Sequence, residues 1–118
     1  LAYAFLTRYD LQDAKAVWIK PDAGYTGNHI FVSFNENIFD FHGYSKRDDY
    51  FSHYWKRAER AYPGWDANLV ALPKGILVSE AKSKTYDGLW LRQPDQFYRN
   101  ALPRATAFLD RFPNPPQT

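Results

Sequence analysis

Two residues with the chemistry of a general base and its partner, His29 and Asp40, stand on either side of a predicted hairpin turn. Residues 29–34 and 38–42 are rich in aromatic and β-branched side chains, and residues 35–37 between them read Asn-Glu-Asn, which favours a tight turn. An imidazole takes a proton from a nucleophile most readily when a second group orients it, and an acid on the neighbouring strand can accept from its other ring nitrogen. The pair therefore predicts a general base with an orienting acid, acting on a nucleophile brought from elsewhere.

The turn decides whether these side chains share a face, because side chains alternate along a strand. A two-residue turn at Glu36 and Asn37 puts Ser33 across from Asp40. In that register six side chains lie on one face: His29, Phe31, Ser33, Asp40, His42 and Tyr44. A three-residue loop over 35–37 without a bulge instead turns Asp40 away from His29. The general-base interpretation needs the first register or a compensating bulge.

The stretch from 28 to 43 carries a family resemblance and reads NHIFVSFNENIFDFHG. It resembles the segment of papain-like, transglutaminase-like and related bacterial cysteine hydrolases in which a histidine begins one strand and an Asp or Asn ends the next. The resemblance implies a papain-like-fold core, with His29 as the base and Asp40 as its orienting acid. The candidate substrate-binding residues are the neighbours of this pair: Asn28, Phe31, His42 and Tyr44.

In the family that this stretch resembles, the nucleophile is a cysteine at the start of the helix preceding the sheet, where the helix N-terminus lowers the thiol pKa. Residues 1–9, LAYAFLTRY, look like the later turns of such a helix, and a chain opening at Leu1 without methionine is expected to have lost an upstream segment. The chain contains no cysteine, so the thiol would come from upstream of Leu1. The resulting hypothesis is a fragment, or a cysteine-lacking form, of a hydrolase or acyl transferase acting on amide or ester bonds.

Two other interpretations of the same residues stay open. His29 can be an ordinary strand histidine, with Asp40 a surface carboxylate near a turn. The domain can also be a non-catalytic module on the same fold, since aromatic residues make up 19% of the chain and can line a groove for a peptide or protein. A peptide or protein is the expected substrate or partner under both functional hypotheses.

The elements that must position the hairpin form a single α+β domain over 1–112, with a central antiparallel sheet packed by helices. Strands are predicted at residues 14–20, 29–34, 38–42, 69–72 and 76–79. The strongest helix is predicted over 46–62, begun by a capping-box-like Ser45 and Asp48. Its inward residues should face the sheet: Tyr50, Tyr54, Trp55 and Ala58.

The C-terminal part of the chain predicts a further helix and a tail. The helix begins at Pro94 and extends to Phe112, with Pro103 kinking or splitting it. Residues 113–118 read PNPPQT, which predicts a mobile, polyproline-like tail.

Charge and composition narrow the functional classes. A net charge of +2 and a pI near 8.8 fall short of the clustered lysines and arginines of a nucleic-acid binder, so they do not favour a nucleic-acid partner. No run approaches the ~18 apolar residues of a membrane span, so a soluble domain without membrane contact is expected. The three histidines lack the close spacing of a zinc motif, and neither a metal site nor a cofactor is predicted.

Overall fold

The computed structural model describes residues 1–9, 11, 13–25, 29–78, 82, 85–86, 89 and 101–116. The α-helices among them are α1 (Ala2–Arg8), α2 (Arg47–Ala61) and α3 (Ala101–Leu109). The strands are β1 (Lys15–Pro21), β2 (Ile30–Phe34), β3 (Asn37–Asp40), β4 (Gly43–Lys46) and β5 (Ala67–Leu72), and a 3₁₀ helix follows at Lys74–Val78. Within this described part of the chain, every helix is too short or too polar to cross a membrane.

The five strands form one antiparallel sheet in the order β4-β3-β2-β1-β5. Strands β2, β3 and β4 follow one another through short turns, whereas β5 returns after α2 to pair with β1. The β1–β5 register extends from Ala16 opposite Leu72 to Pro21 opposite Ala67. The predicted α+β class with a central antiparallel sheet is confirmed.

Strand β1 shows how the two faces of the sheet are divided. It is buried continuously from Ala16 to Ile19, without the polar alternation of a half-exposed strand. Ala16 and Trp18 point to the face on which α1 packs, here called the α1 face, and Val17 and Ile19 point to the opposite α2 face. The continuous apolar run is explained by helices covering both faces of the sheet.

Helix α2 covers its face with an aromatic stripe. The helix residues in this contact are Tyr50, Phe51, Tyr54, Trp55 and Ala58, and the sheet side contributes Val17, Ile19, Phe31, Ile38 and Trp65. The Trp55 indole N–H donates to Asp66 Oδ1 at 2.9 Å, which ties α2 to the start of β5. The predicted helix and its inward aromatic residues are confirmed.

Phe5 anchors α1 on the other face. Its side chain is fully buried and stacks on Phe34 and Phe39, with ring centroids 5.6 and 4.7 Å away. Burying one phenylalanine stabilises a fold by about 1.5–3 kcal/mol. Arg8, at the end of α1, pairs with Asp110 beyond α3 at 2.8 Å. A helix this short is therefore held by tertiary packing and not by its own helix propensity.

Two predicted local structures are wrong. Residues 74–78 form a 3₁₀ helix, so 76–78 of the strand predicted at 76–79 are not extended, and residue 79 lies outside the described residues. A short apolar run has no period that distinguishes strand from helix. Residues 43–46 form β4, which was not predicted. Ser45, expected to cap α2, lies inside β4, and Lys46 occupies the N-cap without a side-chain hydrogen bond.

Helix α3 corresponds to part of the predicted C-terminal helix. Residues 94–100 lie outside the described residues, and the helix is described from 101 to 109. Pro103 lies within this range, so it does not split the helix there.

The segment after α3 returns to the turn between β3 and β4. The Tyr44 hydroxyl donates to the Pro113 carbonyl at 2.8 Å, and burial raises the pKa of that hydroxyl to about 12. Gly43 has a φ of +105° and lies against the Phe112 ring. The first residue of the predicted mobile tail is thus held against the sheet.

Candidate functional site

The hairpin that carries His29 and Asp40 has a two-residue turn. Its cross-strand partners are Val32–Phe39, Ser33–Ile38 and Phe34–Asn37. The turn residues are therefore Asn35 and Glu36, and Asn35 has a φ of 51°, a left-handed conformation that asparagine tolerates.

A turn at Glu36 and Asn37 would have paired Ser33 with Asp40, and the observed pairing of the two strands is shifted from that register by two residues. When the pairing is continued, Asp40 lies across from Phe31 and not from Ser33. A two-residue shift leaves every side chain on its face and brings Asp40 closer to His29 along the strand. The two side chains share a face, as the general-base interpretation requires, and the observed turn is neither of the two turns considered from the sequence.

His29 stands immediately before β2, with its side chain on the α2 face. Its carbonyl accepts a hydrogen bond from the Ile19 N–H at 3.0 Å, which fixes its backbone to β1. Its Nε2 atom lies 2.6 Å from Tyr50 Oη and 3.3 Å from Asp40 Oδ2. The side chain is 21% exposed, so solvent still reaches the ring although Nε2 is engaged within the protein.

Asp40 ends β3 with a side chain that is only 3% exposed. Its Oδ1 atom accepts a hydrogen bond from the His42 backbone N–H at 2.8 Å. Burial alone would raise the pKa of Asp40, but the hydrogen bonds from His29, His42 and Tyr50 together outweigh burial and hold that pKa below its ordinary value. Asp40 is therefore a buried anion at neutral pH.

Tyr50, from the first turn of α2, completes the cluster and was not predicted as a site residue. Burial and the adjacent Asp40 carboxylate raise the pKa of Tyr50 far above its ordinary value, so its hydroxyl keeps its proton. The sequence predicted that Tyr50 faces the sheet, and its ring does so. A tyrosine in place of phenylalanine on a buried stripe indicates a hydrogen-bond partner for the hydroxyl, and this signal was available in the sequence.

Three aromatic rings surround the His29 imidazole. The centroids of Tyr54, Phe41 and Tyr50 lie 5.3, 5.9 and 6.3 Å from the imidazole centroid. The Arg57 guanidinium lies 5.7 Å from the centroid of the Tyr54 ring. These rings restrict the rotation of the imidazole, so its nitrogens keep defined directions.

His42 lies beside the pair but contributes mainly its backbone. It forms the β3–β4 turn with Phe41, and its side chain is 62% exposed. Its Nδ1 atom is 3.6 Å from Asp40 Oδ1, beyond hydrogen-bond distance, and its ring lies 4.0 Å from that of Phe41. Among the described residues, no group of three His, Cys, Asp or Glu side chains is arranged to hold a metal ion.

Of the other predicted substrate-binding residues, Phe31 and Tyr44 are described, and neither lines an open site with His29. Phe31 is 1% exposed and packs against the Tyr50 ring, so it belongs to the core beneath the site and is not open to a substrate. Tyr44 lies on the α1 face, because the turn pairs Asp40 with Gly43 and so places the following residue on the opposite side. The expectation that Tyr44 shares the face of His29 is wrong, and Asn28 lies outside the described residues.

Helix α1 and the imidazole lie on opposite sides of the sheet. Phe5 packs against Val32 and Phe39 on the α1 face, whereas His29 contacts Tyr50 and Tyr54 of α2. The expected closeness of the start of α1 to the His29 ring therefore finds no support in the contacts of the described residues.

Comparison with protein-family models, curated protein sequences and solved structures finds no match to this chain. The described residues form an α+β fold with a five-stranded antiparallel sheet and three α-helices. The papain-like resemblance depends on residues 28–43 alone.

Proposed function

We propose that this chain is the histidine-and-acid half of a papain-like cysteine hydrolase or acyl transferase acting on amide or ester bonds. His29 is the general base and Asp40 is its orienting acid. One observation carries the proposal: Asp40 and Tyr50 both engage His29 Nε2, which leaves Nδ1 as the nitrogen that can exchange a proton with a reacting group. An imidazole oriented by a buried carboxylate in this way is the arrangement that activates nucleophiles in acyl transfer.

In the proposed reaction, Nδ1 takes the proton of a thiol, and the thiolate attacks the carbonyl carbon of an amide or ester. The imidazolium returns that proton to the departing amine or alcohol, leaving a thioester. Water, or an acceptor amine or alcohol, then gives its proton to Nδ1 and its oxygen or nitrogen to the acyl carbon, which regenerates the thiol. The Asp40 carboxylate stabilises the imidazolium in both steps.

The thiol must come from a residue outside the 118 present, since none of these is cysteine. The position of α1 adds a constraint. Because the sheet separates α1 from His29, the thiol has to approach on the α2 face, near the turn formed by Phe41 and His42.

The test uses the natural full-length protein and a small thiol reagent, iodoacetamide. A site of the proposed kind should contain a cysteine whose alkylation at pH 6–7 is fast, because a paired imidazole holds it as thiolate. His29→Ala should slow that alkylation by about tenfold or more. His53→Ala is the matched control, since His53 is exposed on α2. A full-length protein without cysteine, or equal alkylation rates in the two variants, would refute the proposal.

A second function is favoured by one specific observation. Phe41 is 54% exposed and lies against His42 beside the His29 ring, an aromatic surface suited to a peptide or protein partner. Under this alternative, Phe41→Ala should abolish binding in a peptide-array assay while His29→Ala retains it. If Phe41→Ala and His29→Ala both still bind, this surface is not the binding site.

A further inference from the structure

Tyr50 contacts both members of the His29–Asp40 pair through one oxygen atom. Its Oη lies 2.6 Å from His29 Nε2, a shorter distance than the 3.3 Å between Nε2 and Asp40 Oδ2. Burial and the neighbouring Asp40 carboxylate raise the pKa of this hydroxyl, so it keeps its proton. The Tyr50 ring packs against Phe31 and Phe51, with centroids 5.3 and 5.7 Å away. The packing of α2 on the sheet therefore fixes the position of the hydroxyl.

The protons of the neutral imidazole and the hydroxyl can be arranged in two ways. When Nε2 carries the ring proton, it donates toward Tyr50 Oη and Asp40 Oδ2 while the Tyr50 O–H donates to Asp40, so every donor faces an acceptor. When Nδ1 carries the ring proton, the Nε2 lone pair and the carboxylate compete for the single Tyr50 proton. A buried polar group without a partner is unfavourable, so the first arrangement is favoured.

We propose that Tyr50 is a positioning residue: it holds the His29 ring with Nε2–H directed inward and so presents Nδ1 as the basic nitrogen. The catalytic consequence rests on the function proposed above, whereas the ring position and the proton location are properties of the folded chain alone. The hydroxyl accepts from the imidazole at 2.6 Å, a shorter contact than the 3.3 Å between Nε2 and the Asp40 carboxylate.

The test compares Tyr50→Phe, which keeps the ring and removes the hydroxyl, with a matched control. Tyr54→Phe is that control, because Tyr54 lies on the same helix with its ring 5.3 Å from His29, and no hydrogen bond joins these two described side chains. In ¹⁵N-labelled protein, imidazole nitrogen shifts report which nitrogen is protonated. The exchange of the Nε2 proton with water reports how firmly the ring is held, and a His29→Gln variant assigns the signals.

We expect His29 to carry its proton on Nε2 at pH 8 in the wild type. Tyr50→Phe should speed exchange of that proton by about tenfold, the effect of losing one hydrogen bond to the site. Tyr54→Phe should leave the exchange rate unchanged. Protonation on Nδ1 in the wild type, or equal exchange in Tyr50→Phe and wild type, would overturn the inference.

The outcomes separate this inference from the proposed function. If Tyr50→Phe fails to fold, the nitrogen shifts of the wild type decide alone. In one outcome, the Nε2 proton exchanges at a rate that depends on Tyr50, but the full-length protein has no reactive thiol. This outcome supports the positioning role of Tyr50 and refutes the proposed hydrolase function. In the other outcome, alkylation of a thiol depends on His29, but the exchange rate is the same in Tyr50→Phe and wild type. This outcome supports the hydrolase function and refutes the positioning role of Tyr50.

Discussion

Replacing Asp40 with asparagine removes one buried charge and leaves the shape of the side chain unchanged. The carboxylate accepts a hydrogen bond from the His42 N–H at 2.8 Å and lies 3.3 Å from His29 Nε2, and Tyr50 is among the neighbours that lower its pKa. Hydrogen bonds to a charged group contribute about 1.5–3 kcal/mol each. Asparagine retains one acceptor oxygen but turns an NH₂ donor toward the other donors. We expect the free energy of unfolding at pH 7 to fall by about 2–4 kcal/mol.

The pH dependence of this difference has a definite sign. The pKa of Asp40 is lowered in the folded state, so the unfolded chain binds the proton more tightly. The stability that the carboxylate contributes is complete above the unfolded pKa of about 3.9 and is lost as the pH falls through the lower folded value. The gap between wild type and Asp40→Asn should therefore be widest near pH 7 and narrow below about pH 4.

Urea unfolding followed by tryptophan fluorescence measures this gap, since the chain has four tryptophans. Asp110→Asn is the control, because it removes a carboxylate of an exposed ion pair with Arg8 and is expected to cost less stability than Asp40→Asn at pH 7. A cost for Asp40→Asn that stays the same from pH 7 to pH 3 would show that the charge is not what stabilises the site. A cost no larger than that of Asp110→Asn would refute the reasoning altogether.

Three further substitutions test the packing. Phe5→Ala should lower the free energy of unfolding by about 3–5 kcal/mol in urea titrations, because it empties the space between α1 and the sheet; a loss below about 1 kcal/mol would contradict that packing. Gly43→Ala should cost about 1–3 kcal/mol, since its φ is +105° and a Cβ would lie 3.1 Å from the Phe112 ring; an unchanged thermal midpoint would exclude the contact. Tyr44→Phe removes the hydrogen bond to Pro113 and should cost about 1 kcal/mol, with faster proteolysis after α3 as its second readout.

The sequence left the faces of the hairpin open between a two-residue turn and a three-residue loop, and it did not give the register. Any two-residue turn keeps His29 and Asp40 on one face, so the faces follow once the length of the turn is known. The choice of Asn35 and Glu36 depends on the left-handed conformation of Asn35 and on the pairing of β3 with β4. The alternation of side chains does not extend to Tyr44, because Phe41 and His42 form a second turn that reverses the chain before it. This turn could not be recognised in the sequence, since it lies within a β-rich run.

Tyr50 shows a different limit of sequence patterns. Its helical spacing placed it correctly on the inward side of α2, where an aromatic stripe is typical of a core. Which strand residues meet the outer end of that ring depends on how α2 crosses the sheet, and spacing along one helix contains no such information. The hydroxyl reaches His29 and Asp40 only because the start of α2 lies over the His29 end of β2.

The contact of Tyr44 with Pro113 joins residues 69 positions apart in the chain. In a protein synthesised from its N-terminus, all five strands and α2 leave the ribosome before Phe112 and Pro113 can reach the β3–β4 turn. The hairpin with His29 and Asp40 can therefore pair before the segment after α3 reaches the opposite face of the sheet. The Tyr44–Pro113 contact is in this sense a late event of folding, because it closes a loop of 69 residues.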